Sequence, residues 1–384
     1  MEEKIEQSIA KQVAKKGGKT YYVGGYVRDL ILGKKSKDVD IEVHGISEKK
    51  LVNILSKLGE PLYYGKSFGI YSLKGYNIDI ALPRKEIKTG KGHRDFVVEI
   101  DPFMDLKTAI KRRDFTINAI YKDVLTGEII DPFNGIEDIK NKVIRHIDKK
   151  TFVEDPLRVL RACQFASRFN FKIDEDTIEL CKKMDITNLP YARVEEETKK
   201  ALLQSNKPSI YFKYIRQMNQ YDYWFGYLHT KYIDKAKKYE DKVNDKYLFL
   251  LSALSINSTT GIVENIRNPK YTMYILEQVL YASHKFESDD DIFRAFHQAA
   301  DINDFIYIRM LINEDDGCLF KKAKVYNKRM NKPYVTGDDI IAMGYKPGKI
   351  VRKGLDYATV LKLRGVSKKQ ALKKIETYLK KIST

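Results

Sequence analysis

The sequence predicts an α+β protein, with a mixed sheet and its helices over the first ~120 residues and helices alone thereafter. Three observations carry this. Up to about Ala119, β-branched and aromatic runs alternate with amphipathic stretches. Beyond Phe152, apolar residues recur at helical spacing in EDPLRVLRACQFASRF, EEETKKALLQ, KYLFLLSALS and TMYILEQVLYASHKF. A hydrophobic content of 43% in 384 residues is ample for buried cores and for two to four domains.

In chain order, KTYYVGG reads as a strand, YVRDLILG as a helix and DVDIEVHG as a strand. SEKKLVNILSKLG follows with apolar residues at helical spacing. Two further strands, GIYSLKG and YNIDIALP, meet at a short turn at Gly75. The basic stretch RKEIKTGKGHRDF has no face to pack and is predicted to be a mobile loop. From Asp105 a helix is predicted to carry KRRDFTINAIY, and LTGEIIDPFNG reads as a short hairpin or loop closing the sheet region. No internal repeat and no Pro- or Ser-rich linker is visible. The expected divisions are 1–122, 123–180, 181–300 and 301–384.

Charge is the most informative bulk property. Seventy Lys and Arg against 52 Asp and Glu give +18, which points to a polyanionic partner. Twelve Lys or Arg and two acids lie from Lys346 to the end, a segment expected to bind phosphate backbone; its KKQALKKIETYLKK reads as an amphipathic helix whose apolar face is too thin for a membrane. No run approaches the ~20 apolar residues that span a bilayer, and the N-terminus lacks a signal-peptide core, so a cytoplasmic location is expected. Cys163, Cys181 and Cys318 have neither disulfide nor zinc spacing and read as core or free thiols. The six histidines show no metal spacing either; His93, in the predicted loop, is the one placed to act. The aromatic run from Tyr211 to Tyr232, with Trp224, fits a core better than an RNA-stacking surface.

The chemistry concentrates in GGYVRDLILGKKSKDVDIEV, which starts at Gly24. A Gly-Gly pair between strand and helix lets backbone N–H groups approach a phosphate, and Arg28, one turn on, can reach the same anion. Asp38 and Asp40, at i and i+2 of a strand, project from one face. Two carboxylates side by side repel unless a cation joins them, and Mg²⁺ suits one or two carboxylates plus water and phosphate oxygens. Asp79, in another strand with the same alternation, is open between a third metal-facing carboxylate and a solvated side chain.

The ordered set GGYVRD, LG and DVD, then RRDFTINA at 112–119 and EDPLRVLRACQF at 154–165, resembles the class II tRNA nucleotidyltransferase and bacterial poly(A) polymerase family. The tail segment GDDIIAMGYKPGKIV is similar to the family's C-terminal region. The resemblance implies a nucleotidyltransferase head followed by helical neck, body and tail. It also implies a two-metal reaction in which a tRNA 3′-hydroxyl attacks the α-phosphate of CTP or ATP and pyrophosphate leaves. Asp38 and Asp40 would hold two Mg²⁺ ions, Gly24, Gly25 and Arg28 would cradle the triphosphate, and Arg112 would contact phosphate. Asp114 and Asn118, at i and i+4 of the predicted helix, would read the ribose hydroxyls.

Asp155, Arg158 and Arg161 share a helix face that can line a pocket. Cytosine and adenine both set an exocyclic amine beside a ring-nitrogen acceptor, where uracil has a carbonyl and an N–H. A carboxylate accepting from the amine and an arginine donating to the ring nitrogen fit C and A and mismatch U, and the family uses the residues matching Asp155 and Arg158 as this template. Two positions depart from the family pattern: Gln164 stands where Arg is usual, and Ala192 precedes Arg193 where Glu-Arg is common ahead of the matching Glu197. Altered selectivity is expected there, which leaves room for an enzyme that adds only CC or only A. The expected partners are CTP, ATP and the 3′ end and acceptor arm of tRNA. The rivals are a poly(A) polymerase and a non-catalytic RNA-binding module.

Overall fold

The computed structural model describes residues 4–35, 38–63, 69–88, 96–226, 228–256 and 269–383. The chain divides into two units, residues 1–224 and 225–384.

The first unit is built on a seven-stranded mixed sheet. Its strands are β1 (Lys19–Tyr22), β2 (Val39–His44), β3 (Pro61–Tyr63), β4 (Ile70–Leu73), β5 (Ile78–Ala81), β8 (Tyr121–Asp123) and β9 (Ile129–Ile130), in the order β3-β4-β5-β2-β1-β8-β9. Only β2 and β5 run parallel; the remaining pairs are antiparallel. The β4–β5 turn falls at Gly75, whose φ of +87° few other residues adopt, and the β8–β9 hairpin turns at Gly127, φ +76°. Helices α1 (Ile5–Ala14), α2 (Gly24–Ile31) and α3 (Glu48–Leu58) belong to this part. α3 buries Leu51 and Leu55, an i/i+4 pair of the helical spacing read in SEKKLVNILSKLG, and α1, not read from the sequence, buries Ile9 and Val13 at the same spacing.

Two expectations need correction. RKEIKTGKGHRDF is not all loop: β6 (Arg84–Lys88) and β7 (Phe96–Ile100) pair antiparallel as a separate two-stranded sheet, while residues 89–95, with His93, lie outside the described residues. KRRDFTINAIY is not one helix. α4 (Leu106–Lys111) stops at Arg112, Phe115 is extended, and residues Thr116–Asn118 form a single 3₁₀ turn. The break has one local and one tertiary cause: the Asp114 carboxylate takes the Phe115 N–H at 2.8 Å, and the Thr116 N–H donates to the Arg145 carbonyl at 3.0 Å.

Helices α5 (Gly135–Asn141), α6 (Lys149–Phe152), α7 (Leu157–Phe169), α8 (Glu175–Lys182), α9 (Tyr191–Gln204) and α10 (Ser209–Gln217) complete the first unit. A short parallel pair, β10 (Val143–Ile144) with β11 (Lys172–Ile173), lies among them. α7 is sequestered along most of its length, and of the aromatic run Tyr211, Phe212, Tyr221, Trp224 and Phe225 are buried in the core while Tyr223 is exposed. Cys163 and Cys181 are buried and Cys318 is exposed, all as free thiols.

Among its described residues the second unit is helical, with one apolar cluster around Phe293, Phe296, Phe305 and Tyr326 and another around Ile340, Leu361, Ile375 and Leu379. No helix among the described residues is long and apolar enough to cross a membrane.

Candidate active site

β1 ends at Tyr22, Val23 is extended, and Gly24 opens α2 at φ +63°, a conformation nearly reserved to glycine. A β-carbon there would lie 3.0 Å from Arg113 Nη1. Arg28, one turn in, is 3% exposed. Its guanidinium pairs with Asp29 (Nη2 at 2.8 Å), donates from Nη1 to Asn118 Oδ1 at 2.6 Å, and stacks over Phe169, 4.6 Å from the ring centre.

The parallel register sets Asp40 opposite Asp79 in the neighbouring strand. Asp40 is half-buried and its carboxyl is pushed up to about 6, first by burial and then by the charge of Asp79, with Asp38 adding to it against Arg113 and Arg28. The Asp79 carboxyl is also raised, by shielding on the sheet and then by Asp38. The three acids therefore feel one another. Among the described residues, no three His, Cys, Asp or Glu side chains enclose a metal position.

Two residues further along the same face of β2, Glu42 is 1% exposed. Its Oε1 accepts from the Tyr121 hydroxyl (2.8 Å) and His44 Nε2 (3.0 Å), and its Oε2 from Nη2 of Arg112 (3.3 Å) and of Arg113 (3.2 Å). Burial alone would raise this carboxyl, but His44, Arg113 and Arg112 hold it at about 2.

Beside these acids lies a cleft of ≈ 450 Å³. Eight residues expected from the sequence to bind the nucleotide line it: Gly24, Gly25, Arg28, Asp114, Asn118, Asp155, Arg158 and Arg161. Arg112 does not; Arg113 occupies the wall instead. Arg113, Arg168 and Lys200 bring the cationic side chains in the lining to six, against the carboxylates of Asp114, Asp155 and Glu197. That excess suits a polyphosphate.

Several of these groups are already committed. Asp114 Oδ1 takes the Phe115 N–H and Asn118 Nδ2 (3.0 Å), and Oδ2 takes Arg161 Nε (2.8 Å) and Nη2 (2.7 Å), which fills the carboxylate's four acceptor positions. Arg161 and Asn118 hold it below the usual carboxylate range in spite of burial. Asp114 and Asn118 thus meet without the helical i/i+4 geometry expected for them. Arg158 donates Nη1 to the Thr151 carbonyl (2.8 Å) and Nη2 to that of Arg112 (2.9 Å), leaving three of its five N–H donors. Asp155 Oδ1 accepts the Leu157 N–H at 3.0 Å, capping the start of α7.

Among the described residues, two buried cleft groups have no hydrogen-bond partner, Gln164 Nε2 and Glu197 Oε2. One donor and one acceptor are left for a ligand or water. Glu42, Arg113 and Lys200 were missed from sequence. For Glu42 the signal was present, because Asp38, Asp40, Glu42 and His44 follow one another at i+2 on a single strand face.

Residues 20–145 match the family described as the poly A polymerase head domain. The chain is 40% identical over 206 residues to the multifunctional CCA protein of Haemophilus ducreyi, an alignment covering 52% of this chain and 48% of that one. It is 35% identical over 254 residues to the counterpart in Mannheimia succiniciproducens, covering 64% and 58%. The chain thus spans about half the length of the curated relatives it matches. In fold it is similar to the Bacillus stearothermophilus CCA-adding enzyme in complex with CTP, with a TM-score of 0.73, 23% identity, and 99% of this chain and 98% of that chain covered. A CCA-adding enzyme in an apo form gives the same TM-score at 23% identity, with 96% and 94% covered. Residues 20–145 are therefore similar to the poly A polymerase head domain, within a fold similar to that of CCA-adding enzymes.

Proposed function

We propose that this chain adds CMP and AMP to the 3′ end of tRNA without a nucleic-acid template, taking them from CTP and ATP and releasing pyrophosphate. The observation that carries the reading is a cationic cleft that joins the Gly24 turn, Asn118, Asp155 and Arg158 beside the Asp38–Asp40–Asp79 acids. The names of the relatives, and the CTP complex of the structural neighbour, support the same substrates.

In this reading the triphosphate lies on the N–H groups of the Gly24–Gly25 turn, with Arg113 and Arg28 at its side. Asn118 keeps one N–H and one lone pair for the ribose hydroxyls, while the saturated Asp114 fixes Asn118 and Arg161. The free oxygen of Asp155 accepts from the exocyclic amine, and the remaining donors of Arg158 meet the ring nitrogen. Asp38 and Asp40, with Asp79 beside them, would hold Mg²⁺, two ions in all, which when bound supply Lewis acidity toward the attacking 3′-hydroxyl and the leaving pyrophosphate. Residues 1–122 would serve as the catalytic head, 123–180 as the neck carrying the base pocket, 181–300 as the body, and 301–384 as the tRNA-binding tail.

The assay is incorporation into a tRNA lacking its 3′ end, supplied with CTP, ATP or both. Ordered addition of C, C and A is expected. The head-domain match favours one second reading, a poly(A) polymerase, which would give a ladder of A residues with ATP alone. Addition of C only, or of A only, would mark a specialised enzyme. No incorporation with any nucleotide would overturn the reading in favour of an RNA-binding module.

A further inference from the structure

Glu42 is the one carboxylate of β2 that the proposed reaction leaves without a task. A buried ion cluster is a poor source of stability, because desolvation offsets the attraction. Apolar side chains in place of the whole cluster would serve the core as well. What a carboxylate adds is direction, and the geometry shows what it directs. Glu42 Oε2 takes Arg113 Nη2 at 3.2 Å, while its Oε1 takes the Tyr121 hydroxyl at 2.8 Å. That hydroxyl in turn receives Arg113 Nε at 3.1 Å, and the guanidinium lies over the Tyr121 ring, 5.0 Å from its centre. Two of the three guanidinium nitrogens are thus fixed from behind. The third, Nη1, has no hydrogen bond to any described residue, lies against Gly24 and belongs to a side chain lining the cleft.

We infer that Glu42 is a positioning residue, which with Tyr121 aims Arg113 Nη1 into the cleft at the Gly24 turn, where an oxygen of the nucleotide's triphosphate receives it. The inference rests on the nucleotidyl-transfer reading of the cleft. Gln at position 42 would keep one acceptor but lose the charge and turn an N–H₂ toward groups that are themselves donors. Arg113 would then be free to swing, and the ordering cost would fall on nucleotide binding.

The test compares wild type, Glu42→Gln, Tyr121→Phe, Arg113→Ala and the Glu42→Gln/Arg113→Ala double variant. CTP affinity is measured by titration calorimetry, with kcat and KM for incorporation, tRNA affinity and Tm alongside. Glu42→Gln is expected to weaken CTP binding about tenfold to a hundredfold and to leave tRNA affinity unchanged. Tyr121→Phe should shift CTP affinity in the same direction by less. The double variant should bind CTP no worse than Arg113→Ala alone, because both changes remove one contact. Wild-type CTP affinity in Glu42→Gln, or in Tyr121→Phe should the first variant fail to fold, overturns the inference, as do losses that add in full. Such a result beside an active wild type leaves the nucleotidyl-transfer reading standing and makes Glu42 a structural residue. A wild-type protein that neither binds CTP nor extends tRNA brings down both.

Discussion

Asp40 is a carboxylate opposed by its own kind. Its raised titration point has Asp79 and Asp38 among its causes, so removing one acid relieves repulsion in the free protein while depriving the reaction of a metal-facing group. Replacing Asp38 or Asp40 with Ala should abolish incorporation with Tm unchanged or higher, and near-normal turnover in either variant would refute the metal role. Asp155→Ala tests base choice separately. Leaving the exocyclic amine unmatched is worth about 1–3 kcal/mol, so preference for CTP over UTP should fall roughly tenfold to a hundredfold. Competition between the two nucleotides measures it, and an unchanged ratio would make Asp155 a helix cap only. A third residue, Asp304, bears on stability. It is fully buried, takes the Tyr274 hydroxyl on one oxygen and has no hydrogen bond to the other among the described residues. Burial, with the charges of Asp301 and Asp245, pushes it up to about 6. A carboxyl raised in the folded state binds more protons folded than unfolded, so its contribution is full below its ordinary value near 4 and is lost as pH rises through 6. Asp304→Asn should therefore flatten the pH dependence of Tm between about 4 and 6 and stabilise the protein above pH 6, by about 2–3 kcal/mol at most. Equal Tm differences between the two proteins at pH 4 and pH 7 would contradict this.

Individual elements show where sequence reasoning succeeds and where it stops. β2 was legible because alternation is a local property: a strand that must bury Ile41 and Val43 has to turn Asp40 and Glu42 to the other face. The pairing of β2 with β5 was not, since strand order depends on contacts far apart in sequence, and that pairing is what brings Asp79 to Asp40. The RRDFTINA segment failed for a different reason. Its residue types tolerate a helix, but the Asp114 carboxylate takes the neighbouring Phe115 N–H, a local competitor, and the Thr116 N–H is claimed by the Arg145 carbonyl, a tertiary contact that overrides propensity. The same break moves Arg113, rather than Arg112, onto the cleft wall. The 3₁₀ turn carrying Asn118 is wedged against the start of α5, where a β-carbon on Gly135 would fall 2.2 Å from the Thr116 carbonyl oxygen. Gly135→Ala must push that backbone aside, at about 1–3 kcal/mol for overpacking. It should lower Tm and, by displacing Asn118, raise KM for CTP and ATP together. A variant that loses Tm but keeps both KM values would mean the turn moves without moving the site.

At the scale of the whole molecule, a net charge of +18 opposes compaction and favours association with a polyanion, and part of that charge is displayed on a packed surface. In the helix Lys368–Ser383, Ala371, Ile375 and Leu379 are fully buried in a cluster with Leu361 and Val351, so the apolar face is already used within the second unit. The opposite face shows Lys369, Lys373 and Lys374 to solvent with no carboxylate partner among the described residues, whereas Lys368 is paired with Asp339 and Lys380 with Glu376. Replacing those three lysines with Gln removes charge while sparing the packed face, which truncation of the tail would not do, because Leu363 belongs to the separate cluster around Phe293. If the tail holds tRNA phosphates, each lost contact should lower the slope of log K against log salt by about 0.7–0.9, so the triple variant should flatten it by about 2 to 3 and bind most weakly, relative to wild type, at low salt. CTP affinity and Tm should not change. An unaltered salt slope would identify this lysine face as solvated surface and move the tRNA contact elsewhere on the chain.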